Sequence, residues 1–234
     1  MQSLTLNLMP SRRLFFETLL GHRFQNPALL KEAITHSSYA NENGCTSNER
    51  LEFLGDAVLG IIVSDYLFGR KPSITEGEMT RVRAKSVCEE ALSHHAKALG
   101  IGPYLLLGNG EAGSGGAERP SVLADAMEAL IAALYLDGGR EKARKYVLSF
   151  LTDTVEEAIK SGAVRDYKTT LQEKLQSKNA APILYSVEKE IGPDHAKEFT
   201  VRVSLGTKVL GRGTGKTKKA AEQAAAKAAL EAKQ

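Results

Sequence analysis

The sequence predicts an all-α domain followed by a small α+β module with the order α-β-β-β-α. Three observations predict it. Through residues 13–160, segment after segment carries apolar residues at helical spacing. From 184 to 213 the pattern changes to strand-like alternation, and an alanine-rich stretch then closes the chain. Charge changes sign at the same place: residues 165–234 carry 14 Lys+Arg against 8 Asp+Glu, a net of +6, and residues 1–164 carry 17 against 20, a net of −3.

In order, helices are predicted over 13–20, 26–36, 48–68, 76–98, 121–136 and 140–160. Gly21, Pro72, segment 100–103 and the glycine-rich stretch 108–116 separate them. Ser161-Gly162-Ala163 reads as a hinge. This sets domains at 1–160 and 166–234, with 161–165 as linker. The second part is predicted as helix 166–178, strands 184–190, 198–205 and 207–213, and helix 217–233. There is no internal repeat.

Composition narrows the function classes. The chain has 234 residues, of which 42% are apolar and 25% charged, so a packed core is expected and general disorder is not. No apolar run reaches the ~18 residues of a membrane span. The first residues lack the basic start of a secretion signal. Cys45 and Cys88 form neither a disulfide framework nor a CxxC zinc pair, so a reducing cytoplasm is expected. The basic tail points to a polyanion, although a lysine-rich soluble surface has the same charge.

The segment from Asn48 to Leu59 is the most informative. At about 100° per residue, Glu49, Glu52 and Asp56 fall within an arc of about 60°. Leu51, Leu54, Val58, Ile61 and Ile62 lie opposite, and Phe53, Gly60 and Val63 lie on or near the acidic arc. The helix is apolar nearly all round and is expected to be mostly buried. Asp125 and Glu128 repeat the device at i, i+3 on a second apolar helix. A single such pair would normally be a solvated face; two pairs with few basic neighbours are harder to explain that way. If the helices pack side by side, four carboxylates converge and recruit divalent cations. Oxygen donors favour Mg²⁺ or Mn²⁺ over zinc. Such a site suits phosphodiester hydrolysis, because metals acidify water and stabilise attacking and leaving oxygens.

These residues resemble bacterial ribonuclease III. Asn48-Glu49-Arg50-Leu51-Glu52-Phe53-Leu54-Gly55-Asp56 looks like its signature helix. Thr35-His36-Ser37-Ser38-Tyr39, Leu123-Ala124-Asp125-Ala126-Met127-Glu128-Ala129-Leu130 and Tyr135-Leu136-Asp137-Gly138-Gly139 resemble its other blocks. The likeness runs over about residues 11–232. It implies a helical endonuclease that works as a homodimer on double-stranded RNA, in one valley with two catalytic centres. The implied products carry 5′-phosphate and 3′-hydroxyl ends with short 3′ overhangs. The implied substrates are ribosomal RNA precursors and structured messenger RNAs. By position, Glu52, Asp56, Asp125 and Glu128 match the metal-binding carboxylates, with Asp56 and Glu128 catalytic. Glu49 and Glu76 match acids of the dimer and RNA valley.

Residues 166–232 resemble a double-stranded RNA-binding domain, through Asp166-Tyr167-Lys168-Thr169-Thr170-Leu171-Gln172-Glu173, the loop at 192–199 and Gly213-Thr214-Gly215-Lys216-Thr217-Lys218-Lys219. Thr169, Gln172 and Gln176 suit hydroxyls of the shallow minor groove of A-form RNA, and His195 suits a second groove. Lys216, Lys218 and Lys219 stand where a helix N-terminus already favours phosphate. Such a module spans roughly 16 base pairs and reads shape. Position 210 is Leu where a nucleotide-binding P-loop needs Gly, so no nucleotide cofactor is expected.

Other residues read as structural. His36 is expected to cap or hydrogen-bond internally, and adjacent His94 and His95 cannot share a helix face. Arg119 and Ser121 are expected to hold the second acidic helix, and Ala220, Ala224, Ala225 and Ala228 to pack. Glu111, in the glycine-rich connection, is a candidate to approach RNA. Two competing functions are a non-catalytic RNA binder and a helical hydrolase of small nucleotides. The intact carboxylate set weighs against the first, and the RNA-binding tail against the second.

Overall fold

The computed structural model describes residues 10–70, 74–160, 167–176, 182–193 and 197–232, with only the backbone of Gln176. The expected linker 161–165 and His195 lie outside the described residues. The chain divides into two compact units, Met1–Val164 and Arg165–Gln234.

The first unit is helical: α1 Pro10–Leu20, α2 Pro27–Ala33, α3 Ser37–Asn43, α4 Glu49–Gly69, α5 Glu76–Ser86, α6 Glu89–Ala98, α7 Asn109–Gly113, α8 Pro120–Gly138 and α9 Arg140–Lys160. Eleven of the nineteen residues of α8 are buried, which makes it the axis of the unit. Helices α2, α4, α6 and α9 pack around it. At the far end of α8, the Asp137 carboxylate accepts N–H bonds from Gln25 at 2.9 Å and Asn26 at 2.8 Å, and lies 2.6 Å from His22 Nε2. Burial alone would raise its pKa, but these partners hold it below the usual carboxylate value. Arg70 grips Glu156 with Nε and Nη2, both at 2.9 Å, and so pins the end of α4 to α9.

Three departures from expectation bear on the architecture here, besides the short α7 within the glycine-rich stretch. The helix expected over 76–98 is two helices, broken at Val87 and the extended Cys88. Ser86 Oγ donates back to Val82 O at 2.8 Å, a local bond that competes with helix continuation. After the break, α5 packs against α9 and α6 against α8. Helix α3 was not expected; His36 caps its start and Gly44, at φ 61°, ends it. Finally, α4 is not covered all round. Phe53 (81% exposed), Ile61 (55%) and Phe68 (81%) form an uncovered stripe on the isolated chain.

The second unit has α10 Tyr167–Gln176, strands β1 Ile183–Ile191, β2 Glu198–Leu205 and β3 Lys208–Gly215, and α11 Lys218–Glu231. The sheet is antiparallel in the order β1-β2-β3. Its own core joins Leu171 and Leu175 to Phe199, Val201, Val203, Ala221, Ala225, Ala226 and Ala229. Ala220, expected to pack, is exposed. Along β3, a Cβ on Gly211, Gly213 or Gly215 would overlap α11. Alternation puts all three on one face, so a strip without side chains receives the helix backbone.

Candidate active site and nucleic-acid interface

The acidic residues of the first unit reach one place because α4 and α8 touch backbone to backbone. A Cβ on Gly55 would overlap the Glu128 carbonyl. Glycine therefore allows an approach that no other residue permits. At the head of α4, buried Asn48 donates its N–H to Thr35 O, and its carbonyl accepts the Glu52 N–H, both at 2.8 Å. Pro120 opens α8, five residues before Asp125.

The four carboxylates lie in one another's fields. Glu128 is pushed up to about 7, first by burial and then by Asp56, Glu52 and Asp125. Glu52 is raised by burial and by the charges of Asp125 and Glu49. Asp125 is raised by burial; His36 opposes that rise and Glu89 adds to it. Glu52, Asp125 and Glu128 are half-buried, and Asp56 is exposed. Among the described residues no three His, Cys, Asp or Glu side chains stand ready as a metal cage. The donors are all carboxylates, arriving on two adjoining helices. That donor chemistry fits a hard divalent cation, which would relieve the repulsion that raises Glu128.

Glu49 is exposed and accepts a hydrogen bond from Ser47 Oγ at 2.7 Å. Glu76 is exposed on the first turn of α5 and accepts one from Thr80 Oγ1 at 2.9 Å. It lines a groove with Ser64, Phe68 and Arg83, and an adjoining groove runs from Ser64 and Arg83 to Asp56. Arg83 Nη1 donates to Ser64 Oγ at 2.9 Å between the two. Sequence reasoning missed Glu89, on the first turn of α6, and the influence of His36 on Asp125. Neither has a sequence neighbour in the acidic helices, so nothing in the spacing pointed to them. Glu111, a candidate to approach RNA, is ion-paired with Arg119 at 2.8 Å.

In the second unit, Thr169 and Gln172 are exposed on α10. Thr217 caps α11 by accepting the Ala220 N–H at 3.1 Å. Lys216, Lys218 and Lys219 stand exposed around this start, with Lys218 Nζ 5.6 Å above the Phe199 ring. Lys168 binds Glu222 at 2.6 Å and ties the beginning of α10 to α11. The arrangement offers cations around a helix N-terminus beside short polar side chains.

Residues 26–155 match the family described as ribonuclease-III-like, and residues 167–233 match the double-stranded RNA binding motif. A curated relative, Ribonuclease 3 of Caldanaerobacter subterraneus subsp. tengcongensis, is 48% identical over 92% of this chain and 96% of its own length. Ribonuclease 3 of Desulforamulus reducens is 50% identical over 92% of this chain and 89% of its own. A solved nuclease domain of ribonuclease III from Campylobacter jejuni, described for structural flexibility in a region involved in dimer formation, is 38% identical with a TM-score of 0.56. It covers 59% of this chain and 95% of its own. With a helical nuclease unit, two acid-bearing helices in contact and a double-stranded RNA-binding module, the chain belongs to the ribonuclease III family of double-strand-specific endoribonucleases.

Proposed function

We propose that this enzyme is Mg²⁺-dependent, with Mn²⁺ as a substitute, and that Glu52, Asp56, Asp125 and Glu128 hold the metal. The observation that carries this reading is the rise of Glu128, caused by burial among three other acids. A site so arranged is held together by cations. When bound, Mg²⁺ supplies Lewis acidity and charge neutralisation at the scissile phosphodiester. The chain's own contribution is to present the carboxylates from rigid helices. No Ser, Cys or His nucleophile is required. Products carry 5′-phosphate and 3′-hydroxyl ends with short 3′ overhangs. The cellular substrates are ribosomal RNA precursors and structured messenger RNAs, met in the cytoplasm.

The enzyme acts as a homodimer. The uncovered Phe53, Ile61 and Phe68 stripe on α4 supports this, as does the mention of dimer formation for the Campylobacter jejuni domain. Glu49 and Glu76 lie along the RNA valley. The nuclease domain spans 1–160 and the RNA-binding domain 166–234, joined by 161–165. Thr169, Gln172, Gln176 and His195 address minor grooves, and Lys216, Lys218 and Lys219 address phosphate.

The deciding experiment is gel-resolved cleavage of a long RNA duplex and of its single strand, with Mg²⁺ and with EDTA. Duplex-only cutting that requires Mg²⁺ is expected, with ends that accept ligation as 5′-phosphates. Equal cutting in EDTA would refute the metal-dependent reading.

A further inference from the structure

Arg83, on α5, stands outside the four-carboxylate set but on the path that leads to it. Asp56, Gly60 and Ser64 fall at i, i+4 and i+8, so they lie along one side of α4, with Ser64 about 12 Å beyond Asp56. The groove that starts at Asp56 follows this line to Ser64 and Arg83, where the groove of Glu76 begins. Arg83 and Ser64 thus belong to the walls of both.

The guanidinium is aimed without being neutralised. Ser64 Oγ gives its proton to Gly60 O at 2.7 Å, so toward Arg83 it acts as acceptor, and Arg83 Nη1 donates to it at 2.9 Å. The anchor is therefore an uncharged hydroxyl fixed on a helix. Arg70 is paired with Glu156, and Arg140 with Asp65, around the same helix. Arg83 makes no such ion pair among the described residues, and it is exposed. Most of its N–H groups and its whole positive charge are left for a ligand.

That charge contrasts with its surroundings. Residues 1–164 carry a net of −3, and the two grooves hold Asp56 and Glu76. RNA laid along them meets repulsion from both carboxylates, and a cation at the Asp56 end relieves it only there. The planar fork of an arginine suits phosphate oxygens. We propose that Arg83 is a phosphate-binding residue for the substrate duplex, and that Ser64 sets its direction. It holds a backbone phosphodiester of the RNA that is cut at the Asp56 end of the groove. That the groove leads to cleavage rests on the place given to Asp56 above; the phosphate contact itself does not.

The test uses the full chain, with duplex RNA bound in EDTA at several salt concentrations. Arg83→Gln replaces the guanidinium with a neutral amide at an exposed position, so the core is untouched. Its plot of log affinity against log salt is expected to be shallower by about 0.9 for each Arg83 that meets the RNA. Arg83→Lys, which keeps the charge, is expected to keep the wild-type slope. With Mg²⁺, Arg83→Gln is expected to raise KM for the duplex several-fold and to leave kcat near wild type, because the contact is made in the ground state and the transition state alike. An unchanged slope, or a fall in kcat at constant KM, overturns the proposal. If the slope is unchanged and ultracentrifugation shows a weaker dimer, Arg83 serves a second copy of the chain instead of RNA. A shallower slope in Arg83→Gln together with full cleavage by Asp56→Asn upholds the contact and refutes the place of Asp56.

Discussion

Glu128 keeps a proton up to about pH 7 in the metal-free protein, against an ordinary value of 4.5. A carboxyl raised on folding favours the fold while protonated. Its contribution is full below the ordinary value and is lost as pH rises through about 7. Without metal, stability therefore falls between pH 5 and pH 8 for this reason. The group is partly open to solvent, which trims the effect to about 1 kcal/mol. Glu128→Gln removes this loss, so in EDTA it is expected to melt a few degrees above wild type at pH 8 and level with it at pH 5. The same variant is expected to bind duplex RNA and not cut it. Loss of both activities would make Glu128 a structural residue. The acidic pairs themselves were legible in the sequence, since i, i+3 and i, i+4 spacing fixes a helix face. His36 and Glu89 were not, because what brings them to Asp125 is the path of the chain between helices.

At the scale of elements, the seam between α4 and α8 is the feature on which the site depends. Gly55→Ala would drive a methyl into the Glu128 carbonyl. The helices must part, at a cost of about 2–3 kcal/mol, read as a lower urea midpoint. Cleavage is expected to fall further than stability alone explains, because Glu52 and Asp56 move away from Asp125 and Glu128. Wild-type stability in this variant would mean that the seam is soft. Long periodic elements such as α4, α8 and α9 were readable from sequence. The break at Val87 was not, since the apolar pattern continues across it and packing against two different helices decides the matter. Periodicity also misjudged Phe53 and Phe68: it shows that a face is apolar, but not whether the same chain covers it.

For the whole molecule, the two units have separate cores, one around α8 and one joining α10, β2 and α11. Charge follows the same division, with a net of +6 on residues 165–234. A chain lacking 162–234 is expected to bind duplex RNA more weakly and with a shallower salt dependence, because each lost phosphate contact removes close to one unit of slope. Titrations at several salt concentrations measure this. An unchanged affinity and slope would remove the RNA-binding role from the second unit. The bipartite layout was visible in sequence through charge and a change of period. The closeness of β3 to α11 was not visible, since alternation marks 207–213 as a strand without showing that a helix backbone lies against its glycines.

The separateness of the two cores also orders events during synthesis. Every side chain of the first core precedes Arg165, so that core has all its parts before the second unit is made. At ~5–20 residues per second, the 70 residues of the second unit take roughly 4–14 seconds to translate. A nascent chain thus holds a complete set of acidic groups while its duplex-gripping module is still on the ribosome. For that interval, its encounters with folded RNA are governed by a net negative body, and the grip follows only once the second unit has been made.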